Sequence, residues 1–160
     1  MKTIRHVISD FAQCSSGTAI IEAAIVLPLA IGLMVGVTDF GRAYATKSAA
    51  EKSMRDAARY LATVPVEGVC KKAGGEGWAV PQAKSLALYG NTSGTGTPLV
   101  DNWKISNISL VEPTCPAGTT TIGIIHFQAS VPFTALMWSA IGLPQTLTMN
   151  AEHEERWIGQ

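Results

Sequence analysis

A glycine and a glutamate five residues apart carry the first chemistry that can be read from this chain. Gly17 is followed by Thr18-Ala-Ile-Ile-Glu22, and then by sixteen residues, Ala23–Thr38, without a charge. A carboxylate at the mouth of a lipid-like segment is costly, about 2.5–3.5 kcal/mol or more at the bilayer centre, so it calls for a partner. Hydrolysis of the Gly17–Thr18 peptide bond would create one. Thr18 would then carry an ammonium group one helical turn from the Glu22 carboxylate. The chemistry of this stretch is therefore processing followed by charge pairing, with the chain as the substrate of another enzyme.

The remaining reactive side chains do not form a catalytic pattern. His126, His153, Cys70 and Cys115 could be assembled into a metal site on paper, but no two of them have the close spacing of a ligand pair. Glu152, Glu154 and Glu155 read as a solvated strand end rather than an acid/base pair. No P-loop, dinucleotide fingerprint or Gly-x-Ser-x-Gly elbow is present. The expectation is a non-enzymatic chain with no cofactor, no metal and no small-molecule substrate. Lys+Arg and Asp+Glu both total 12, and no basic patch marks a nucleic-acid partner.

Of the three cysteines, Cys14 precedes Gly17 and would leave with a cleaved leader. Cys70 and Cys115 remain as an even pair. In an oxidising compartment a bond between them would stabilise the fold by about 4 kcal/mol on the chain-entropy model. Two buried thiols in a cytosolic domain are the alternative; a preceding membrane segment favours the disulfide.

These residues need elements to position them. The N-terminal segment, residues 1–17, starts with Lys2 and Arg5, as a cytosolic leader would. The apolar run after it could be a secretory signal, a buried core helix or a membrane span. It is longer than the ~7–15 apolar residues of a signal peptide. It is apolar all round, unlike a core helix at a surface. Ile20–Thr38 makes about 28 Å of helix, which fills a hydrocarbon core of about 30 Å. Pro28 should loosen the helix locally, and Gly32 and Gly36 form a Gly-x-x-x-Gly pair suited to close helix packing. Flanking Lys and Arg, counted alone, would put the C-terminal side in the cytosol. The cysteine pair and a β-rich tail point the other way, and export is the expectation.

No breaker interrupts the chain from Arg42 to Thr63. Ala50, Met54, Ala57 and Leu61 follow steps of four, three and four, which is one helical stripe. Lys47–Glu51, Glu51–Arg55 and Lys52–Asp56 place opposite charges four apart on the exposed surface. The pattern predicts one helix over residues 18–63, with a span at about 20–38 and an amphipathic extension at 39–63. Two helices broken at Asp39-Phe40-Gly41 are the alternative. Residues 64–160 then form an exported domain. A short helix is predicted from Trp78 to Tyr89, with Pro81 in its first turn, Ala83, Leu86 and Ala87 on its apolar face, and Gly90-Asn91 at its end. Three strands follow, at about Trp103–Val111, Thr119–Pro132 and Thr146–Trp157. The second has apolar residues on both faces and should be central. The apolar stretch Phe133–Leu143 either covers the sheet or rests on a membrane surface; packing on the core is the simpler reading. The fold class is α+β: a long transmembrane and amphipathic helix, then a small antiparallel sheet with one short helix.

Taken together, Gly17-Thr-Ala-Ile-Ile-Glu22-Ala-Ala-Ile-Val-Leu-Pro28-Leu, Asp39-Phe40-Gly41-Arg42 and Ala57-Ala-Arg-Tyr-Leu-Ala62 resemble the TadE-like family of the tight-adherence pilus apparatus, a branch of the type IV pilin class. The specific likeness covers about residues 17–62. It implies cleavage between Gly17 and Thr18 by a prepilin peptidase, and a role for Glu22 in meeting a neighbouring subunit's N-terminal amine during assembly. It further implies a pseudopilin or minor pilin in a bacterial inner membrane. Its domain would be periplasmic or extracellular, and its partners would be the lipid bilayer, other pilins and the pilus machinery. Ala23 stands where the family usually has Phe, and no basic residue lies close to Gly17. An uncleaved single-span protein with an exported interaction domain is the alternative.

Overall fold

The computed structural model describes residues 15–136, 138, 142 and 144–159. The expectations placed on Lys2, Arg5 and Cys14 of the leader, and on part of Phe133–Leu143, lie outside them. Helix α1 runs over Ser15–Thr63. Helical structure passes through Pro28 and through Asp39-Phe40-Gly41 without interruption, so the two-helix alternative is not adopted. By contacts the chain divides into two compact units, Met1–Phe40 and Gly41–Gln160.

In the first unit, all residues from Gly17 to Met34 are exposed, although the sequence there is mostly aliphatic. This unit buries no hydrophobic side chain among its described residues. It is the one helix among the described residues that is long and apolar enough to cross a membrane.

The second unit contains the amphipathic half of α1. Ala50, Met54, Ala57 and Leu61, the stripe expected from spacing, are fully buried, and Ala58 and Ala62 widen it. The opposite face is charged, with Lys47 and Glu51 paired at 3.6 Å. A short helix α2, Val66–Val69, leads to Cys70. Helix α3, Ala79–Tyr89, buries Val80, Ala83, Ala87 and Leu88, while Leu86 is only half-buried. Gly90 ends it in the left-handed region (φ 74°), its N–H donating to the Leu86 carbonyl at 2.9 Å. Glycine adopts that conformation at no steric cost.

The three strands form an antiparallel sheet in the order β1-β2-β3: Ile108–Glu112, Ile124–Thr134 and Thr146–Arg156. The predicted central strand is central. Its inner residues Ile125, Phe127, Ala129, Val131 and Phe133 are buried, together with Ile108 of β1 and Ala151 of β3. Two strand starts differ from expectation. β1 begins at Ile108, not Trp103. The Asn107 side chain accepts the Lys104 N–H at 3.2 Å and closes a tight 3₁₀ turn over Ile105–Asn107. Such local side-chain bonds compete with a strand ladder. Trp103 is buried from the preceding loop, and Ile105 is exposed. β2 begins at Ile124, not Thr119, because Thr119 is held in a turn by its hydroxyl donating to the Pro116 carbonyl at 2.8 Å. It also continues past Pro132 to Thr134. Here β1 has ended, since Ile108 pairs with Ala129, and β2 has a neighbour on one side only. Proline is tolerated at such edges.

Cys70 and Cys115 are joined by a disulfide. Around it the loops are zipped by backbone bonds, Gly75 N–H to Cys115 O at 2.9 Å and Gly118 N–H to Lys72 O at 3.0 Å.

Candidate functional site

The first unit carries the residues singled out for processing and assembly. Gly17 and Thr18 lie within the first turns of α1, and Glu22 is one turn further on. At i and i+4 on a helix, side chains emerge from the same face with Cβ atoms about 6 Å apart. Glu22 is exposed and is the lone charge between Gly17 and Thr38. Ile20, Ile25, Leu29, Leu33 and Val37 each expose about two-thirds or more of their surface. Exposed aliphatic side chains around a whole helical circumference are unfavourable in water at about 25 cal/mol per Å². Lipid or other apolar helices are the surroundings that remove this cost. At Gly32 and Gly36 an added Cβ would meet nothing within 4 Å among the described residues. Thr38 satisfies its hydroxyl by donating to the Met34 carbonyl at 2.8 Å. It thus ends the apolar run without an unmatched polar group.

The second unit opens with the other part of the motif. Gly41 leaves open space around its α-carbon. The Arg42 guanidinium lies over the Phe133 ring, 5.7 Å from its centroid. This is within cation–π range. Thr46, Asp101, Asn102 and Thr134 line the same recess. Phe40, the last residue of the first unit, is exposed. Sequence reasoning did not find Phe133 as the partner of Arg42. The signal was too weak: 91 positions separate an aromatic in a strand from a basic residue in a helix.

The two histidines do not converge. His126 is on the outer sheet face, 3.7 Å from Glu154 and 3.9 Å from Glu152. His153 is on the inner face, opposite Phe127, and contacts Glu155 at 3.3 Å. Both cysteines of the paper metal site are consumed by the disulfide.

The architecture is that of a single apolar helix, suited to single-pass membrane anchoring, that continues into a small disulfide-bonded α+β domain. The model of the TadE-like protein family matches residues 17–59. The match covers Glu22, the apolar run, Phe40-Gly41-Arg42 and most of the buried stripe. It points to a membrane protein related to the Tad pilus, a family that is in general not enzymatic. No curated protein and no solved structure matches the chain.

Proposed function

We propose that this protein is a membrane-anchored pseudopilin or minor pilin that takes part in assembling a tight-adherence pilus. The observation that carries the reading is the TadE-like helix itself. Over Gly17–Met34 it is exposed and mostly aliphatic, and the one charge there, Glu22, is one turn from the Gly17–Thr18 bond. In this reading a prepilin peptidase cuts after Gly17. The new Thr18 ammonium, on its own chain or on a neighbour, pairs with Glu22 in low dielectric, where two opposite charges gain most from meeting. Cleavage also makes Thr18 the start of the helix. A carboxylate near that end is favoured by the helix dipole by about 0.3–1 kcal/mol. Gly32 and Gly36 would let a second pilin helix approach closely. The disulfide supports an oxidising location for residues 64–160, outside the inner membrane.

A second reading keeps the leader attached: a single-span anchor whose exported domain binds a partner outside any pilus. One observation favours it, since α1 runs unbroken through the Gly17–Thr18 bond, and a peptidase must open that turn. Intact mass and N-terminal sequencing of the membrane-extracted protein decide between them. The pilin reading expects a chain beginning at Thr18; a mature chain that retains Met1–Gly17 refutes the processing step.

A further inference from the structure

We infer that the free edge of β3 is an interface at which two copies of this chain join their sheets, antiparallel, about Met149. The contact lies within the second unit and does not depend on the pilin reading. The first observation is that the two edges of the sheet differ. An unpaired strand edge is a template for another strand, and proteins blunt it with short strands, bulges, proline or lysine. The β1 edge is blunted in this way. It has five residues, a register irregularity between Leu110 and Glu112, and Pro113 directly after it. β3 has 11 residues, runs in unbroken register with β2, and holds neither Pro nor Lys.

The second observation is which backbone groups the edge offers. Residues opposite each other in an antiparallel ladder alternate between pairs that exchange hydrogen bonds and pairs that do not. Ala135 N–H donates to the Gln145 carbonyl at 2.8 Å, and Trp157 N–H to the Gly123 carbonyl at 3.2 Å. Both pairs continue the β2–β3 register, so the bonded pairs fall on odd-numbered residues. Leu147, Met149, Ala151, His153 and Glu155 therefore turn their N–H and C=O groups to β2. Those of Thr146, Thr148, Asn150, Glu152 and Glu154 turn outward, and among the described residues none of them has a backbone partner. The side chains of these five residues are all exposed.

The third observation selects the occupant. A two-fold interface must be self-complementary. Pairing centred on Met149 sets Met149 against its own copy and Leu147 against Ala151. On the other face it sets Thr148 against Asn150 and Thr146 against Glu152. Apolar residues thus meet apolar ones, and polar residues meet polar ones. Leu147 is 37% exposed and Met149 only partly buried, so the copy covers apolar surface that β3 leaves open. Thr146, Thr148, Asn150 and Glu152 are the residues whose groups point outward, and each exchanges backbone bonds with its opposite. The Met149 pair is then a non-bonded one, in which side chains stand closest. Charge disfavours the neighbouring registers. Centring on Ala151 sets Leu147 against Glu155, and centring on His153 sets Glu152 against Glu154, like against like. Around Met149, Glu154 and Glu155 lie beyond the end of the opposite strand. A foreign strand would have to supply this alternation; a second copy carries it already.

The test is disulfide trapping of the full chain in detergent micelles. Cys14→Ser leaves the introduced cysteine as the one free thiol, since Cys70 and Cys115 are bonded to each other. Under mild oxidation Met149→Cys should form a covalent dimer, because the Cα atoms of a non-bonded pair stand about 4.5 Å apart, within disulfide reach. In the proposed register residue 154 lies about 33 Å from its copy, so Glu154→Cys should be trapped at least about five-fold less. Adding Asn150→Pro to Met149→Cys should lower the yield at least about five-fold, because it removes an outward N–H and leaves the β2 ladder intact. Thr148→Lys keeps every N–H and brings two lysines to diagonal positions across the interface; it should lower the yield at least about two-fold. Circular dichroism reports whether each variant is folded, and if the proline variant is not, the lysine variant decides. Absence of trapping at Met149→Cys, or equal trapping at Glu154→Cys, would overturn the inference. So would trapping that survives the edge variants, which would assign the dimer to another surface.

Discussion

Removing the Cys70–Cys115 bond should cost this domain about 4 kcal/mol, and the loss should fall on the unfolded state. The bond closes a loop with a sequence separation of 45 residues. On the chain-entropy model that corresponds to about 13 cal/mol/K, or about 4 kcal/mol at room temperature. The closed segment contains α3, the 3₁₀ turn and β1, so the restraint acts on nine of the 22 buried core residues among those described. The native loops around it have other ties, Gly75 N–H to Cys115 O and Gly118 N–H to Lys72 O. The folded geometry should therefore persist without the bond.

The assay is urea unfolding of the full chain in detergent micelles, followed through the fluorescence of buried Trp103. The variant should be Cys70→Ala with Cys115→Ala. Cys70 is 1% exposed, and serine there would bury a hydroxyl at a cost of about 1–3 kcal/mol, which would imitate the effect under test. At a slope of about 2 kcal/mol per molar urea, the midpoint should fall by about 2 M. Reduced wild-type protein should match the variant. A shift below about 0.3 M would refute the loop-closure argument. It would mean that the unfolded chain is already restrained, for instance by residual structure in the long helix. A loss well above about 6 kcal/mol, with loss of the sheet signal, would mean that the bond holds the native loops directly.

Three further outcomes follow from the same geometry. Leu61→Ala, at a fully buried position, should lower stability by about 2–5 kcal/mol in the same titration; a change under about 1 kcal/mol would show that the α1 stripe is not core. Lys47→Ala, which breaks an ion pair whose side chains are each about half exposed, should change stability by no more than about 0.5 kcal/mol. Glu22→Ala should leave membrane insertion intact or improve it, by removing a charge worth about 2.5–3.5 kcal/mol or more in lipid, and should abolish pilus assembly; normal pili on cells carrying only this variant would count against the pairing of Glu22 with an N-terminal amine.

What could be read from the sequence was whatever repeats at the period of its element. Ala50, Met54, Ala57 and Leu61 recur at helical spacing, and they are the buried stripe. β2 shows apolar residues at both strand parities, and it is the central strand. Element starts were harder, because a single side chain sets them. Asn107 and Thr119 each capture a backbone group and delay a strand by about five residues, a competition that no period records. Contacts between distant residues were harder still. Nothing near Arg42 indicates Phe133, since their meeting is decided by how α1 crosses the sheet.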